Sequence, residues 1–318
     1  MDVQSGYPYW AIKNGLMTAF APLRDDARCE VVVIGGGITA AIIADRLVAE
    51  GFDVMVVEQC EIGWGSTAAS TALVQYEIDT PMTELAKRYG ERQAALAYRS
   101  CAQAVQRLEE LAADIGGCGF RRQESLYLAS RTWHVPRMRE EWELRRTHGL
   151  EVEWLPPGDI AARYGFEAAG GILSRLAARC DPYRMAYRLL ARVRRRGGAV
   201  HGNTQVAGIV GGARSAYLHM ADGVGLRADH VVVAAGYAGQ CWLKAKVASN
   251  RSTYAFVSHP LDAGMLKPIA DTLVWESARP YLYLRTADGR LMVGGEDDAI
   301  DIASPRDRRV PLKAGTLA

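Results

Sequence analysis

The first residues whose types and spacing suggest chemistry are three consecutive glycines and an acid near the start of the chain. Gly35, Gly36 and Gly37 follow an apolar run, and Glu58, 23 residues after Gly35, ends a second one. The first glycine permits a tight turn, the second lets backbone N–H groups approach a pyrophosphate, and Ala40 at the third motif position lets the helix pack on the strand. The helix N-terminus favours a phosphate, and the acid is spaced to bind ribose hydroxyls. These residues together predict a dinucleotide site.

A second group of polar residues lies near the other end of the sequence, where Arg279, Tyr281, Tyr283 and Arg285 alternate with apolar residues. In a strand, this spacing places all four on one face. Arginine offers a bidentate fork and tyrosine a neutral donor, and both suit a carboxylate. We interpret Tyr281, Tyr283 and Arg285 as candidate catalytic residues that position a substrate. The alternative is a half-exposed strand whose polar side faces water.

Composition and residue spacing argue against several other kinds of chemistry. The six cysteines form no C-x-x-C pair and the six histidines show no metal-ligand spacing, so we predict reduced thiols and no metal site. The adjacent acids 296–298 favour a solvated loop over a calcium loop. A net charge of +2 gives no reason to expect nucleic acid or an anionic membrane as partner. No apolar run reaches the roughly 20 residues of a membrane span and no signal-peptide pattern is seen, so we expect a cytoplasmic protein.

The elements that must position these residues can be predicted along the chain. Residues 29–58 predict the strand–turn–helix–strand unit. Residues 80–115 have helical spacing, with Thr80 as N-cap, Pro81 at the first helical position and a break near Gly90. Asp288-Gly289 is a hairpin turn signal. Two further helices are predicted at 135–148 and 181–196, and further strands at 120–129, 170–174, 199–201, 205–210, 216–220, 230–236, 252–258, 272–276, 281–286 and 291–295.

The order of these elements predicts an α/β (α+β) protein with two interleaved domains. Residues 1–78 plus 179–245 are expected to form a Rossmann-like dinucleotide-binding domain. Residues 79–178 plus 246–318 are expected to form a substrate domain built on a mixed, mostly antiparallel sheet, with helices on one side.

Four segments together resemble the FAD-dependent amino-acid oxidase superfamily, which contains D-amino-acid oxidase, glycine oxidase and sarcosine oxidase. They are the glycine turn with Glu58, the hydroxyl-rich segment 63–71, the segment 202–206 and the small-residue turn 234–236. In that superfamily the second segment runs along the flavin, the third contacts the adenine side through its backbone, and the fourth lies near the cofactor. The glycine turn alone would also fit NAD enzymes, but the combination favours FAD. The resemblance implies that FAD is bound by Gly35, Gly36, Gly37, Ile38, Thr39, Glu58, Gln59, Gly65, Ser66, Thr67, Ser70, Thr71, Val206, Ala234, Ala235 and Gly236.

The resemblance also implies a reaction. In the related oxidases a hydride passes from the CH–NH or CH–NH₂ carbon of a small amine or amino acid to flavin N5. No protein base is obligatory for that step, so the protein must supply a positioned substrate and a water-poor cavity. The family's strand that corresponds to 279–285 lines the flavin cavity, which supports the substrate-site interpretation of Tyr281, Tyr283 and Arg285.

One departure from the family concerns the end of the sequence. Family members continue past the strand pair that ends here near 294–295 and carry a further glycine-rich flavin-binding turn, whereas this sequence stops at Ala318. We therefore expect the substrate domain to be C-terminally incomplete. Two other hypotheses stay open: a truncated, non-catalytic FAD-binding or scaffold chain, and a flavin enzyme that oxidises an alcohol carbon, as glycerol-3-phosphate dehydrogenases do. The sequence specifies neither the substrate nor the oligomeric state.

Overall fold

A computed structural model describes residues 5–212, 214–300 and 302–317 of the chain. The chain divides into two compact units, each built from three segments. The first unit comprises Met1–Ser70, Ile115–Cys118 and Asp181–Asn250. The second unit comprises Thr71–Asp114, Gly119–Cys180 and Arg251–Ala318. The chain therefore crosses between the units at Ser70/Thr71 and again at Cys180/Asp181, among other places.

The strands and helices of the described residues follow in chain order. The strands are β1 (Ala27–Ile34), β2 (Val54–Val57), β3 (Leu73–Gln75), β4 (Arg121–Leu128), β5 (Val152–Leu155), β6 (Gly171–Arg179), β7 (Ala199–His201), β8 (Val206–Gly211), β9 (Ala216–Met220), β10 (Gly225–Val233), β11 (Ser252–Val257), β12 (Thr272–Glu276), β13 (Tyr283–Ala287) and β14 (Arg290–Asp298). The α-helices are α1 (Tyr9–Asn14), α2 (Ile38–Ala49), α3 (Ser66–Ala69), α4 (Met82–Tyr89), α5 (Glu91–Ile115), α6 (Val135–Thr147), α7 (Pro157–Tyr164), α8 (Pro182–Arg195), α9 (Ala263–Leu266) and α10 (Ala303–Leu317). Short 3₁₀ helices span Thr132–His134, Gly236–Trp242 and Lys267–Ile269.

The first unit is built on a six-stranded sheet of order β7-β2-β1-β10-β9-β8. The strands β7, β2, β1 and β10 are parallel, and β9 and β8 complete the sheet as an antiparallel meander. All four residues of β2 and five of the eight residues of β1 are buried, as expected for parallel strands covered on both faces. Helix α2 packs against α8, where the buried carboxylate of Asp45 and the guanidinium of Arg192 pair through two bonds of 2.6 Å. The predicted Rossmann-like unit is confirmed.

The second unit is built on an eight-stranded sheet of order β11-β14-β13-β12-β4-β6-β3, with β5 also paired to β6. The pairing is antiparallel except between β12 and β4, which confirms the predicted mixed, mostly antiparallel sheet. The prediction of helices on one side is wrong. Leu126 packs with Ile160 of α7, whereas the next residue, Tyr127, packs with Met138 of α6. Because neighbouring residues of a strand point to opposite faces, helices cover both faces of this sheet.

Local signals in the sequence were borne out at several helix ends and turns. Asp181 caps α8 by accepting the N–H of Arg184 at 2.8 Å. Gly90, at φ +91°, separates α4 from α5 as predicted. The Asp288-Gly289 pair joins β13 to β14 with both residues at positive φ, the geometry of a tight hairpin turn.

The predicted cap of α4 is wrong. The helix begins at Met82 with Pro81 in the cap position, and no side chain of the cap residue serves it. The carboxylate of Glu141 on α6 accepts the N–H groups of Met82 and Thr83 instead, at 2.9 and 2.8 Å. An acid from a neighbouring helix thus satisfies N–H groups that a helix start leaves open.

Candidate cofactor and substrate sites

Three of the predicted cofactor segments follow neighbouring parallel strands of the first unit. The N–H of Gly35 donates to the last carbonyl of β2 at 2.8 Å, and the N–H of Ala234 donates to the last carbonyl of β1 at 2.8 Å. The N–H of Glu58 donates to the last carbonyl of β7 at 2.9 Å. The turn at Gly35, the acid and the small-residue turn therefore lie side by side at the carboxyl ends of the strands. Ligands of open parallel sheets bind outside this edge.

The glycine turn is a cradle in which side chains have no room. Gly35 has φ +115°, and a Cβ there would lie 2.5 Å from the carbonyl oxygen of Ala234. A Cβ on Gly36 would lie 2.5 Å from Cδ1 of Ile62. Gly37 is the N-cap of α2, and Ala40 in the first turn of that helix is fully buried. The structure thus keeps open backbone where a pyrophosphate-binding turn needs it, and it places a small residue where the helix meets the sheet.

Glu58 bonds to the backbone of the turn. Its Oε2 accepts the N–H of Gly36 at 2.6 Å, and its Oε1 accepts the N–H of Cys60 at 2.9 Å. Burial raises the pKa of Glu58 above its ordinary value, although these N–H groups act in the opposite direction. Gln59 beside it is exposed. The carboxylate therefore lies against the glycine turn.

The hydroxyl-rich segment lies beside the same turn. The N–H of Gly63 donates to the carbonyl of Gly36 at 3.0 Å, and Thr67 Oγ1 accepts the N–H of Ile38 at 3.0 Å. We name residues 63–70, which contain α3, the hydroxyl loop. Gly65 is the N-cap of α3, Ser66 begins it, and Ser70 and Thr71 follow it. In this unit the loop and the glycine turn are held together by hydrogen bonds at two points.

The remaining predicted cofactor residues lie on either flank of the turn. Thr204 donates its N–H to the carbonyl of Glu58 at 2.7 Å, and Val206, two residues later, begins β8. Gly236, at φ +55°, starts the 3₁₀ helix after β10, and Ala235 is its N-cap. Thr39 lies in the first turn of α2. The first unit therefore brings together every predicted cofactor residue except Thr71, which belongs to the second unit.

In the second unit, two of the three substrate-site candidates are neighbours. The rings of Tyr281 and Tyr283 lie 5.6 Å apart between centroids. The hydroxyl of Tyr281 donates to Oδ1 of Asp79 at 3.1 Å, and the hydroxyl of Tyr283 lies 3.4 Å from Oγ1 of Thr253. Burial raises the pKa of both tyrosines, and Asp79 raises that of Tyr281 further. Both phenols therefore remain neutral hydrogen-bond donors at ordinary pH.

The predicted strand and its polar face need correction. The strand β13 begins only at Tyr283, so Arg279 and Tyr281 precede it. The guanidinium of Arg285 is 1% exposed, and it donates to the carbonyls of Thr71, Cys180 and Thr286. A side chain held in this way is an internal tie and does not present a fork to a substrate carboxylate. Thr71 and Cys180 are the residues of the second unit at two chain crossings, and Arg285 fixes both carbonyls.

We expect Arg285→Lys to lower the free energy of unfolding by about 2 kcal/mol, because a lysine cannot reach all three carbonyls and buried hydrogen bonds are lost. Urea unfolding measures this change. Arg290→Lys on β14 is a matched control, since Arg290 is less deeply buried and donates to the single carbonyl of Ser258. Equal stability of the two variants would contradict the role of Arg285 as a tie.

Two residues near these sites carried no usable signal in the sequence. Trp10 precedes the first element predicted from the sequence, yet it is buried in α1 and donates to the carbonyl of Ser70 at 2.7 Å. Asp79, the partner of Tyr281, precedes α4 in an irregular stretch. Their partners are 60 and 202 residues away along the chain, and such contacts leave no trace in local spacing.

The described part of the chain contains neither a candidate metal cluster nor a membrane-spanning helix. Within the residues that the structure describes, no group of three or more metal-ligating side chains could hold a metal ion. Over the same residues, no helix has both the length and the apolar character needed to cross a bilayer.

Comparison with known proteins places this chain among flavoproteins. The family model described as "FAD dependent oxidoreductase" matches residues 30–314. A protein of Bacillus subtilis described as a Rieske 2Fe-2S iron-sulfur protein, YhfW, is 26% identical over 207 residues, which are 65% of this chain and 40% of that protein. The γ-glutamylputrescine oxidoreductase of Escherichia coli is 30% identical over 82 residues, which are 26% of this chain and 19% of that enzyme. The chain thus spans less than half the length of either relative.

Solved structures resemble the fold over almost the whole chain. L-proline dehydrogenase from P. horikoshii matches with a TM-score of 0.74 and 17% identity, covering 93% of this chain and 78% of that one. Glycine oxidase from Geobacillus kaustophilus matches with a TM-score of 0.71 and 20% identity, covering 92% and 78%. At these identities the likeness concerns the fold.

Proposed function

We propose that this chain, which belongs to the family of FAD-dependent oxidoreductases, oxidises a small amine or amino acid. The observation that carries the proposal is the cradle at the carboxyl ends of the parallel strands. There Gly35 and Gly36 leave no room for a Cβ, and the carboxylate of Glu58 lies against their backbone. A rigid, side-chain-free turn beside an acid suits the pyrophosphate and ribose of FAD. The names of similar proteins, which include a γ-glutamylputrescine oxidoreductase, an L-proline dehydrogenase and a glycine oxidase, support an amine or amino acid as the class of substrate.

The residues of the first unit are proposed to bind four parts of the cofactor. The glycine turn and the first turn of α2 face the pyrophosphate, where the positive end of the helix favours its charge. Glu58 accepts hydrogen bonds from the adenosine ribose, and the backbone near Val206 borders the adenine. The hydroxyl loop and the turn 234–236 lie along the rest of FAD. When bound, FAD supplies a hydride acceptor at its N5 atom.

The residues of the second unit are proposed to position the substrate. Tyr281 and Tyr283 offer two neutral hydroxyls and two ring faces that exclude water. Asp79 holds the hydroxyl of Tyr281 in place, and Thr253 lies beside that of Tyr283. Because the hydride leaves from carbon, these groups need only orient the amine and keep water away. Arg285 acts on this site indirectly, through the carbonyl of Thr71.

The proposed role of Glu58 predicts weaker FAD binding in Glu58→Gln. Loss of charge-assisted hydrogen bonds worth about 1.5–3 kcal/mol raises the Kd roughly ten- to hundredfold. For the wild type, affinity should fall as the pH drops through the pKa of Glu58, which lies above the ordinary value of 4.5, because the protonated acid accepts fewer hydrogen bonds. The variant should lack this dependence. Fluorescence quenching of FAD titrated with the ligand-free chain measures both effects.

Glu50→Gln provides the control, since Glu50 is an exposed acid that pairs with Arg46 at the far end of α2. An unchanged Kd for Glu58→Gln would contradict the ribose assignment. The oxidase reaction is tested separately, by adding primary amines and amino acids to the FAD-loaded chain without oxygen and following loss of the visible flavin bands. A chain that binds FAD but is reduced by none of them would support a binding protein without catalysis.

A further inference from the structure

The N-terminal helix α1 is fastened to the hydroxyl loop of the same unit. Trp10 is 2% exposed, and its Nε1 donates to the carbonyl of Ser70 at 2.7 Å. Ser70 is the last residue of the loop and the last residue of the first unit before the chain crosses to the second. A buried indole N–H thus holds the loop at the end where the chain crosses to the second unit.

Helix α1 also fastens the second crossing on its first-unit side. Asn14 Nδ2 donates to Oδ2 of Asp181 at 2.8 Å, while Oδ1 of Asp181 caps α8. The same amide donates to the main-chain carbonyl of Trp10 at 2.9 Å, so the Asn14 side chain links Asp181 to the backbone of α1 at Trp10. The carbonyl of Gly15 accepts the hydroxyl of Tyr183 at 3.2 Å.

Tyr183 links the end of α1 to the start of the hydroxyl loop. A Cβ on Gly63 would lie 3.0 Å from the ring of Tyr183, so the tyrosine packs directly on the first residue of the loop. The loop is therefore held by the glycine turn at Gly63, by α2 at Thr67 and by α1 at Ser70. The third attachment comes from α1, which precedes the strand–turn–helix–strand segment 29–58 in the chain.

We propose that Trp10 is a positioning residue for FAD, which acts by holding the Ser70 end of the hydroxyl loop, with Asn14 holding Trp10 and Asp181 in register. This inference rests on the proposed function, since it takes the loop to lie along the cofactor. A loop held in its bound geometry before FAD arrives loses little entropy on binding. A loop held less firmly at Ser70 must be ordered in part by FAD itself, at the expense of affinity.

The test compares wild type, Trp10→Phe and Asn14→Ala as full-length chains. We expect Trp10→Phe to raise the Kd for FAD about three- to tenfold, the effect of one lost hydrogen bond. It should also alter the visible circular dichroism of bound FAD and speed hydrogen–deuterium exchange of residues 66–70 in the ligand-free chain. Asn14→Ala should act in the same direction with a smaller effect. It removes no buried ring, so it serves as the test if Trp10→Phe fails to fold.

Trp133→Phe is the matched control, since Trp133 is 71% exposed, and it should leave all three measurements unchanged. If Trp10→Phe keeps the wild-type affinity for FAD, circular dichroism and hydrogen exchange, the proposal is overturned, even if the melting temperature of the variant is lower. Failure of the wild-type chain to bind FAD would overturn the proposed function instead. Exchange at residues 66–70 would then still report whether α1 holds the loop.

Discussion

Replacing Arg145 with methionine is expected to lower the free energy of unfolding by about 3–5 kcal/mol, the penalty for removing one partner of a buried ion pair. Arg145 lies on α6 with no exposed surface. Its Nε donates to Glu141 at 2.8 Å, and its Nη1 lies 3.7 Å from Glu77. Methionine fills similar volume but leaves two buried carboxylates without a cation. Urea unfolding followed by tryptophan fluorescence measures the change.

The loss should depend on pH. Burial alone would raise the pKa of Glu141, but Arg145 and the N–H groups at the start of α4 hold it below its ordinary value. Burial raises the pKa of Glu77, although the positive charge of Arg145 acts to lower it. In the wild type, Glu141 therefore stabilises the fold above the ordinary glutamate pKa, and this contribution is lost as the pH falls through its lowered pKa. Without Arg145 both acids bind protons more tightly when folded, so the variant recovers stability on acidification.

Arg146→Met supplies the control for this experiment. Arg146 is the next residue of α6, and it pairs with Glu143 while its side chain is 60% exposed. Such surface pairs contribute about 0–1 kcal/mol. A loss of stability in Arg145→Met that matches the control, or that does not shrink toward pH 4.5, would contradict the role assigned to Arg145 between Glu141 and Glu77.

The parts of the fold that the sequence predicted are those whose signals are local. The glycine turn, the cap of α8 by Asp181 and the Asp288-Gly289 hairpin each depend on a few adjacent residues. The cap of α4 could not be predicted, because Glu141 lies 59 residues from Met82 in the sequence. The helices on both faces of the second sheet were missed for a related reason. The middle of β4 is buried on both faces, so alternation gives no sign of a solvent side.

The residues of the candidate sites likewise divide into those with a local signal in the sequence and those that depend on distant contacts. The backbone at Gly35 and Gly36 requires glycine, and the sequence shows this directly because glycine occupies both positions. By contrast, alternation along a strand predicts which side chains lie on the same face, but it does not predict which groups they contact. Arg285 meets the carbonyls of Thr71 and Cys180, which lie 214 and 105 residues away. An arginine suited to a substrate carboxylate is equally suited to buried carbonyls, and only the tertiary fold decides between them.

Gly35→Ala is expected to remove both stability and retention of FAD. The new Cβ would lie 2.5 Å from the carbonyl oxygen of Ala234, and φ at this position is +115°. Backbone strain of about 1–3 kcal/mol adds to a similar cost of overpacking, so the expected loss of stability is about 2–6 kcal/mol. Relief of the clash must move the turn away from β10, which also displaces the N–H groups proposed to face the pyrophosphate. Urea unfolding and the flavin content after gel filtration measure the two losses.

Gly51→Ala separates strain from the close approach. Gly51 follows α2 at its far end with φ +92°, and a Cβ there would meet nothing within 4 Å. This variant should show the strain of about 1–3 kcal/mol alone and should keep its FAD. The difference between the two variants is therefore the free energy of the contact between the turn and β10. Gly35→Ala protein that is as stable as Gly51→Ala and still retains FAD would show that the turn can shift without harm, and the cradle would lose its role in cofactor binding.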